Sequence, residues 1–342
     1  FKIIIFDKMN YKKNNPIDIV ITWVDGSDNF LIKKRKNYLK SNLNDIPPGA
    51  QPTRFSSLNE INYCLISILK FASFVRKIFI VTDEQTPSIH EIVKKYYPKR
   101  ISDIEIIDHK HIFRDYEDFL PTFNSICISN MLWRIEGLSD HFVYFNDDVF
   151  LTRKILPEVW FKKARPVLRG NWVFPPFERL IWDKFRINYH KLRFGKNKEK
   201  TPSFQINQWN AAQLLKFKFR YLKSSHTPLA IDKKVLENYF TNNKKILKEN
   251  LKFRFRNYKQ YNTVALANHL EYKTGNKNLS KSQAVYMRPY NRGEKYITRK
   301  FKQCEKNQNN LFLCIQSLDL ATQKEQQLIF KKLNSLLDIK IN

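Results

Sequence analysis

Residues 141–151 read H-F-V-Y-F-N-D-D-V-F-L, so Asn146, Asp147 and Asp148 interrupt a run of aromatic and β-branched residues. Adjacent carboxylates supply the oxygen atoms that a hard divalent cation takes as ligands, and through the ion they can hold a phosphate. Asn and Asp are equally at home at a strand-to-turn junction, where they hydrogen-bond their own backbone. On this stretch alone both readings stand. Carboxylates recur after other apolar runs: Asp25 and Asp28 after D-I-V-I-T-W-V, Asp83 and Glu84 after K-I-F-I-V-T, and Asp108 with His109 after D-I-E-I-I. His226, in H-T-P, titrates near neutrality and can serve chemistry, and it fits a loop residue ahead of a helix as well.

Such groups need strands to carry them. The runs over 18–24, 77–82, 103–107 and from 142 onward have the β-branched and aromatic content of buried strands. Asp25, Gly26, Ser27 and Asp28 form a turn after the first. Helices are expected over 29–42, over 88–97 and from the Leu120–Ser125 stretch through Arg134. Another carries Leu58, Ile61, Leu65, Ile68 and Leu69 at helical spacing, with Ser56 or Ser57 and Glu60 as its capping box. Pro47, Pro48, Gly49 and Pro52 make a loop that no helix crosses. Strand and helix at these intervals predict an α/β fold, a Rossmann-like and mostly parallel sheet of about five strands with crossover helices. In such a sheet the carboxyl ends of the strands form the ligand crevice, and the repeated carboxylates fall at that end.

The second half is less regular. Residues 154–225 are rich in Trp, Phe, Arg and Lys with few periodic stretches, which suggests a lid or an acceptor-facing insertion. A helix is expected over 231–239, another ending at Tyr272 with Gly275 as its stop, an edge strand or loop over 280–290, and an amphipathic helix over 322–337. The expected organisation is an α/β nucleotide-sugar-binding half over 1–165, an irregular insertion over 166–225, and a C-terminal, partly helical half over 226–342 that completes the site.

The 342 residues carry 42% hydrophobic and 14% aromatic side chains, enough for a folded core and too many for a disordered chain. Net charge is +29, which asks for an anionic partner such as nucleic acid, an anionic membrane surface or a polyanionic product. Lysines are densest over 33–36, 162–165, 191–200 and 244–259. The cysteines Cys64, Cys127, Cys304 and Cys314 have no C-x-x-C spacing. The first two read as reduced core residues and so as a reducing, cytoplasmic compartment; for Cys304 and Cys314, pairing and free thiols both fit. No apolar run reaches the length of a membrane span, and a chain that starts at Phe1 can have lost a leader or anchor.

Four groups of motifs resemble, in order and spacing, the conserved blocks of the Stealth family. They are D-I-V-I-T-W-V-D-G-S-D, then R-F-S-S-L-N-E-I-N-Y with F-I-V-T-D-E-Q-T-P, then L-P-T-F-N-S with R-I-E-G-L-S-D-H-F-V-Y-F-N-D-D-V-F, and last H-T-P with F-R-F-R. That family contains bacterial capsular polysaccharide phosphotransferases and the eukaryotic lysosomal-enzyme N-acetylglucosamine phosphotransferase. The resemblance implies an enzyme that moves hexose 1-phosphate or N-acetylhexosamine 1-phosphate from a UDP-sugar donor to a hydroxyl of an oligo- or polysaccharide acceptor, releasing UMP. It implies functional positions at Asp25, Arg54, Asn124, Asn146, Asp147, Asp148 and His226, and at Arg254 or Arg256.

The chemistry agrees with that implication. Transfer of a phosphoryl group asks for positioning and charge stabilisation, for Mg²⁺ or Mn²⁺ on Asp147 and Asp148, and for arginines on phosphate. It also asks for a base, His226 or alternatively Asp25. Trp23 can wall the uracil or sugar or belong to the core, and Gly26 follows Asp25 in the same substrate-binding turn. Two other readings compete: a metal-dependent glycosyltransferase, which would release UDP, and a basic nucleic-acid-binding protein. Against the last, the carboxylates gather where a polyanion would sit, so no nucleic acid is expected. An anionic phosphodiester product, or a peripheral contact with the anionic inner face of the cytoplasmic membrane, is the remaining use expected of the basic surface.

Overall fold

The computed structural model describes residues 15–39, 46–47, 49–195 and 200–340. The basic lead-in, the end of the helix expected over 29–42, Pro48, and residues 196–199 of the lysine-rich run lie outside the described residues.

Four parallel strands carry the frame: β1 (Ile17–Thr22), β2 (Ile78–Thr82), β3 (Ile104–Asp108) and β4 (His141–Asn146). Along β1, Ile17, Ile19 and Ile21 enter one apolar layer and Val20 the other, the two-residue alternation of a strand buried on both faces. Crossovers run through α1 (Asn29–Lys36), α2 (Glu60–Phe71), α3 (His90–Tyr96) and α4 (Ser125–Met131). Register sets Thr22 beside Val81 and Asn146, and Thr82 beside Asp108. The carboxyl ends of the four strands therefore finish in one row.

The apolar run from residue 142 does not continue as one strand. At Asp147 and Asp148 the chain turns out of the main sheet into β5 (Val149–Leu151). Further on come α5 (Phe177–Phe194), α6 (Phe204–Leu214) and β6 (Leu229–Asp232), then α7 (Lys233–Asn242), α8 (Lys244–Leu251) and α9 (Thr263–Lys273). The C-terminal part holds β7 (Ala284–Met287), α10 (Glu294–Lys306), β8 (Phe312–Ile315) and α11 (Gln323–Leu337). β5, β8 and β7 form a second sheet, which packs with α2, α10 and α11 on one face of the main sheet; α4, α7, α8 and α9 cover the other.

Several local expectations are corrected. The fifth strand of the main sheet is β6, antiparallel to β4, where the sequence suggested that a helix begins at 231. Residues 229–231 are short and apolar, a length that periodicity cannot assign to strand or helix, and pairing with β4 settles it. No Ser56 or Ser57 capping box starts α2: Asn59 sits in the left-handed region at φ 64° and Glu60 accepts from the Leu58 N–H. A true capping box stands at α11, between Thr322 and Glu325. Within 166–225, which looked aperiodic, α5 runs for 18 residues. All four cysteines are buried and free.

Candidate active site

The row of strand ends floors a cleft of about 570 Å³. Asp147 and Asp148 lie at its base because they make the turn between the two sheets. From the second sheet, Ile315 N–H donates to the Asp148 carbonyl at 3.0 Å, and Cys314 Sγ lies 4.0 Å from Asp148 Oδ2. Asp148 Oδ1 is buried without a hydrogen-bond partner. Burial pushes the Asp148 carboxyl up to about 7, and nearby Glu60 adds to the rise. Burial also pushes Asp147 well above the ordinary carboxylate range, with Asp148 and Glu60 adding to it. Glu60, another cleft residue, is itself raised by burial. Crowded carboxyls of this kind bind protons or a cation.

With Asp148 Oδ1 unpartnered and both carboxyls crowded, Asp147 and Asp148 have the donor chemistry that a divalent ion takes. Among the described residues no group of three His, Cys, Asp or Glu side chains is arranged to hold a metal ion, so an ion here would need phosphate and water oxygens as further ligands. Mg²⁺ binds in that manner.

Asn146, at the end of β4, accepts a hydrogen bond from Tyr144 OH at 3.1 Å, and Tyr144 OH also lies 3.1 Å from Thr22 Oγ1. All three line the cleft. Trp23 is almost wholly buried, lines the same wall and points its Nε1 at Ser57 Oγ, 3.4 Å away. It is therefore both core and cleft.

Of the two candidate arginines, Arg256 enters the cleft. Its Nη2 donates to Ser125 Oγ at 2.6 Å. Burial lowers its guanidinium to about 10; Arg54 adds to the fall, and Tyr144 and Asp148 oppose it. Arg54 lines the cleft, its guanidinium makes no hydrogen bond or ion pair with a described residue, and burial lowers its pKa as well. Arg254 points elsewhere. Its Nη1 donates to the Pro121 carbonyl at 2.6 Å and its guanidinium covers the Tyr38 ring, 4.5 Å from the centroid.

Two glycines hold these arginine loops close. A Cβ on Gly26 would lie 2.3 Å from the Phe55 carbonyl oxygen, and a Cβ on Gly49 would lie 2.1 Å from that of Arg256. Gly26 thus seats the Arg54–Phe55 segment against the turn after β1 and has no side chain to offer a ligand. Asp25 is not among the cleft-lining residues. Its carboxylate accepts from Ser27 N–H and Ser27 Oγ at 2.9 and 2.6 Å, and Gln85 clamps its backbone on both sides.

His226 reaches the cleft because β6 runs antiparallel: the residues leading into its amino end meet the carboxyl end of β4. The imidazole lies between Phe204 and Tyr286, with ring centroids 4.7 and 5.4 Å away. Burial, with Arg256 nearby, lowers its pKa below the ordinary value, which leaves it neutral and able to accept a proton at pH 7.

Asn124 does not line the cleft. It is fully buried at the start of α4: Oδ1 accepts from Ile126 N–H at 3.1 Å, and Nδ2 donates to the Phe253 carbonyl and to Gln260 Oε1, each at 2.9 Å. Sequence reasoning did not single out Ser125, Tyr144, Glu60 or Gln260. Ser125 closes L-P-T-F-N-S, and Glu60 resembled a cap, so their neighbourhood was visible and their roles were not. At the end of the cleft formed by β2 and β3, both ring nitrogens of His109 are buried without a hydrogen-bond partner, and Asp83 Oδ1 lies 4.0 Å from Nδ1.

The fold and the site together define an α/β protein with a cleft at its strand ends, where carboxylates, arginines and a histidine gather. Two family profiles match within it: Stealth protein CR1, conserved region 1, over residues 15–43, and Stealth protein CR2, conserved region 2, over residues 54–167. An exopolysaccharide phosphotransferase of Lactiplantibacillus plantarum is 30% identical over 262 residues, covering 73% of this chain and 73% of its own. The chain belongs to the Stealth family.

An exopolysaccharide phosphotransferase of Streptomyces coelicolor is 33% identical over 66% of this chain and 34% of its own length. A capsular polysaccharide phosphotransferase of Haemophilus influenzae is 40% identical over 43% of this chain and 38% of its own. The matches thus span only about a third of the length of these two relatives.

Proposed function

We propose that this protein is a sugar-1-phosphate transferase of surface polysaccharide synthesis. In this reading it moves hexose 1-phosphate or N-acetylhexosamine 1-phosphate from a UDP-sugar to a saccharide hydroxyl and releases UMP. The observation that carries the reading is the meeting of Arg54 and Arg256 with Asp147, Asp148 and a neutral His226 in one cleft. The names of the relatives support the same class of reaction.

Under this reading the donor's nucleoside lies toward Asp83 and His109 and its diphosphate lies over Asp147 and Asp148. A divalent cation, when bound there, neutralises phosphate charge. The acceptor oxygen bonds to the β-phosphorus as the bond from that phosphorus to the bridging oxygen breaks, and UMP carries the bridging oxygen away. His226 takes the proton from the acceptor hydroxyl, and Arg54 and Arg256 stabilise charge on the non-bridging oxygens. Tyr144 and Ser125 position Asn146 and Arg256 for this.

The test is product identity. Incubation with UDP-sugars and a saccharide acceptor should yield UMP and a phosphodiester-linked sugar by chromatography and ³¹P NMR. UDP with a phosphate-free product would establish a glycosyltransferase instead.

A further inference from the structure

α5 has no buried residue along its described length, yet its sequence is strongly sided. At 100° per residue, Phe177, Ile181, Trp182, Phe185, Tyr189 and Leu192 fall on one broad arc. They are exposed, with Trp182 at 73%, Phe185 at 66% and Leu192 at 88%. Leu180, Asp183 and Ile187 lie on another side and are half-buried, so the exposed arc is not the side turned to the protein. Glu178, in the first turn, is the one acidic residue within that arc.

The borders of the arc are basic. Arg179, Arg186 and Arg193 follow it on one edge, and Lys184 and Lys191 on the other. Just before the helix, Phe174 shares a shallow cavity with Phe219, Lys216, Lys218 and Arg220, and both phenylalanines are exposed. This extends the pattern of aromatic rings ringed by cations beyond the helix itself.

We propose that α5, together with Phe174 and Phe219, is an interfacial anchor that lies flat on an anionic lipid bilayer. A helix with Trp, Phe, Tyr and Leu on one face and Lys and Arg along both edges matches what the headgroup boundary solvates. The rings enter the acyl boundary, and Arg179, Lys184 and Lys191 reach up to lipid phosphates, while Arg186 is held by Asp183 Oδ1 at 3.5 Å and Thr201 Oγ1 at 3.1 Å. The charge of the whole chain, +29, adds long-range attraction to the same surface. A second copy of the chain would be an unfavourable occupant, since two such faces would bring their basic edges together. No helix among the described residues is long and apolar enough to cross a membrane, so the contact is with one leaflet.

The test is co-sedimentation of the whole chain with phosphatidylcholine vesicles, with and without phosphatidylglycerol, at low and high salt. Wild type should pellet with the phosphatidylglycerol vesicles, and brominated lipid should quench a fluorescence component absent from Trp182→Phe. Trp182→Ser/Phe185→Ser should lower the partition coefficient about tenfold or more with the thermal midpoint and circular dichroism unchanged. Arg179→Gln/Lys184→Gln/Lys191→Gln should remove most of the preference for anionic lipid. Wild type left in the supernatant at low salt would overturn the proposal, as would binding that the aromatic substitutions leave intact. An oligomer of wild type that the aromatic substitutions dissociate would assign the face to a second copy instead.

Discussion

Asn124 Nδ2 donates to Gln260 Oε1 at 2.9 Å in a fully buried contact that ties the start of α4 to the loop carrying Arg256. Gln260 extends the tie by donating to the Asn250 carbonyl at 2.8 Å. Asn124 therefore serves the cleft through Arg256 and Ser125. Asn124→Ala loses a helix cap and strands buried acceptors, at a cost of about 2–4 kcal/mol. Equilibrium urea unfolding measures it, and Asn124→Asp, which keeps the cap acceptor but turns a buried carboxylate oxygen onto the Phe253 and Gln260 oxygens, should not recover the loss. An unchanged midpoint for the alanine variant would refute the structural role.

The two arginines of F-R-F-R should separate in kinetics. Arg256→Lys loses the planar fork in the cleft, and turnover should fall about a hundredfold to a thousandfold with folding intact. Arg254→Ala, whose contacts are the Pro121 carbonyl and Tyr38, should lower stability and leave turnover within about tenfold of wild type. Steady-state assays with melting curves distinguish the two, and the reverse ranking would reassign the phosphate contact.

His226 acts as a base only when neutral. Burial and Arg256 lower its pKa, so kcat should rise with pH through a value below the ordinary 6.5 and then level. His226→Ala should abolish that limb and reduce kcat about a hundredfold to ten-thousandfold while donor affinity, read by calorimetry, stays close to wild type. Near-normal turnover would move the base elsewhere, with Asp25 next to test.

Asp148, raised to about 7, and Asp147, raised well above its usual range, hold protons in the folded state that the unfolded chain has released above about pH 4. The folded state binds the extra protons, so stability of chelated protein should fall as pH rises from about 4 through 7. Mg²⁺ or Mn²⁺ should reverse the loss at pH 8 by binding the folded state alone. Asp148→Asn should flatten the pH profile and weaken the metal effect. Differential scanning calorimetry at pH 5, 6.5 and 8 checks this, and a cation-insensitive midpoint at pH 8 would count against a metal on these carboxylates.

Gly26→Ala places a Cβ 2.3 Å from the Phe55 carbonyl oxygen. The clash is with backbone and cannot be relieved by a rotamer, so the Arg54 segment must shift, at a cost of about 2 kcal/mol. Donor KM should rise more than kcat falls. Wild-type kinetics would show that the Arg54 segment tolerates displacement.

Strong local patterns were legible in the sequence itself. The β-branched runs that became β1, β2 and β3 were placed to within two residues: β1 and β2, buried on both faces, leave a near-continuous apolar signature, and the half-exposed edge strand β3 was read from its isoleucines. The carboxylates after them could be read as one ligand-binding edge because parallel strands share a direction. Only the tertiary structure decided what depends on contacts between distant segments. Asp147 and Asp148 were visible as a pair, but their place between two sheets follows from the pairing of β5 with β8, residues far apart in the chain. His226 reaches the site through the antiparallel pairing of β6, which a stretch of four residues could not announce. Arg254 and Arg256, two residues apart and each preceded by a phenylalanine, were separated only by Ser125, Pro121 and Tyr38. The exposure of the apolar face of α5 could not be read either, since periodicity defines an apolar side and only packing determines whether protein covers it.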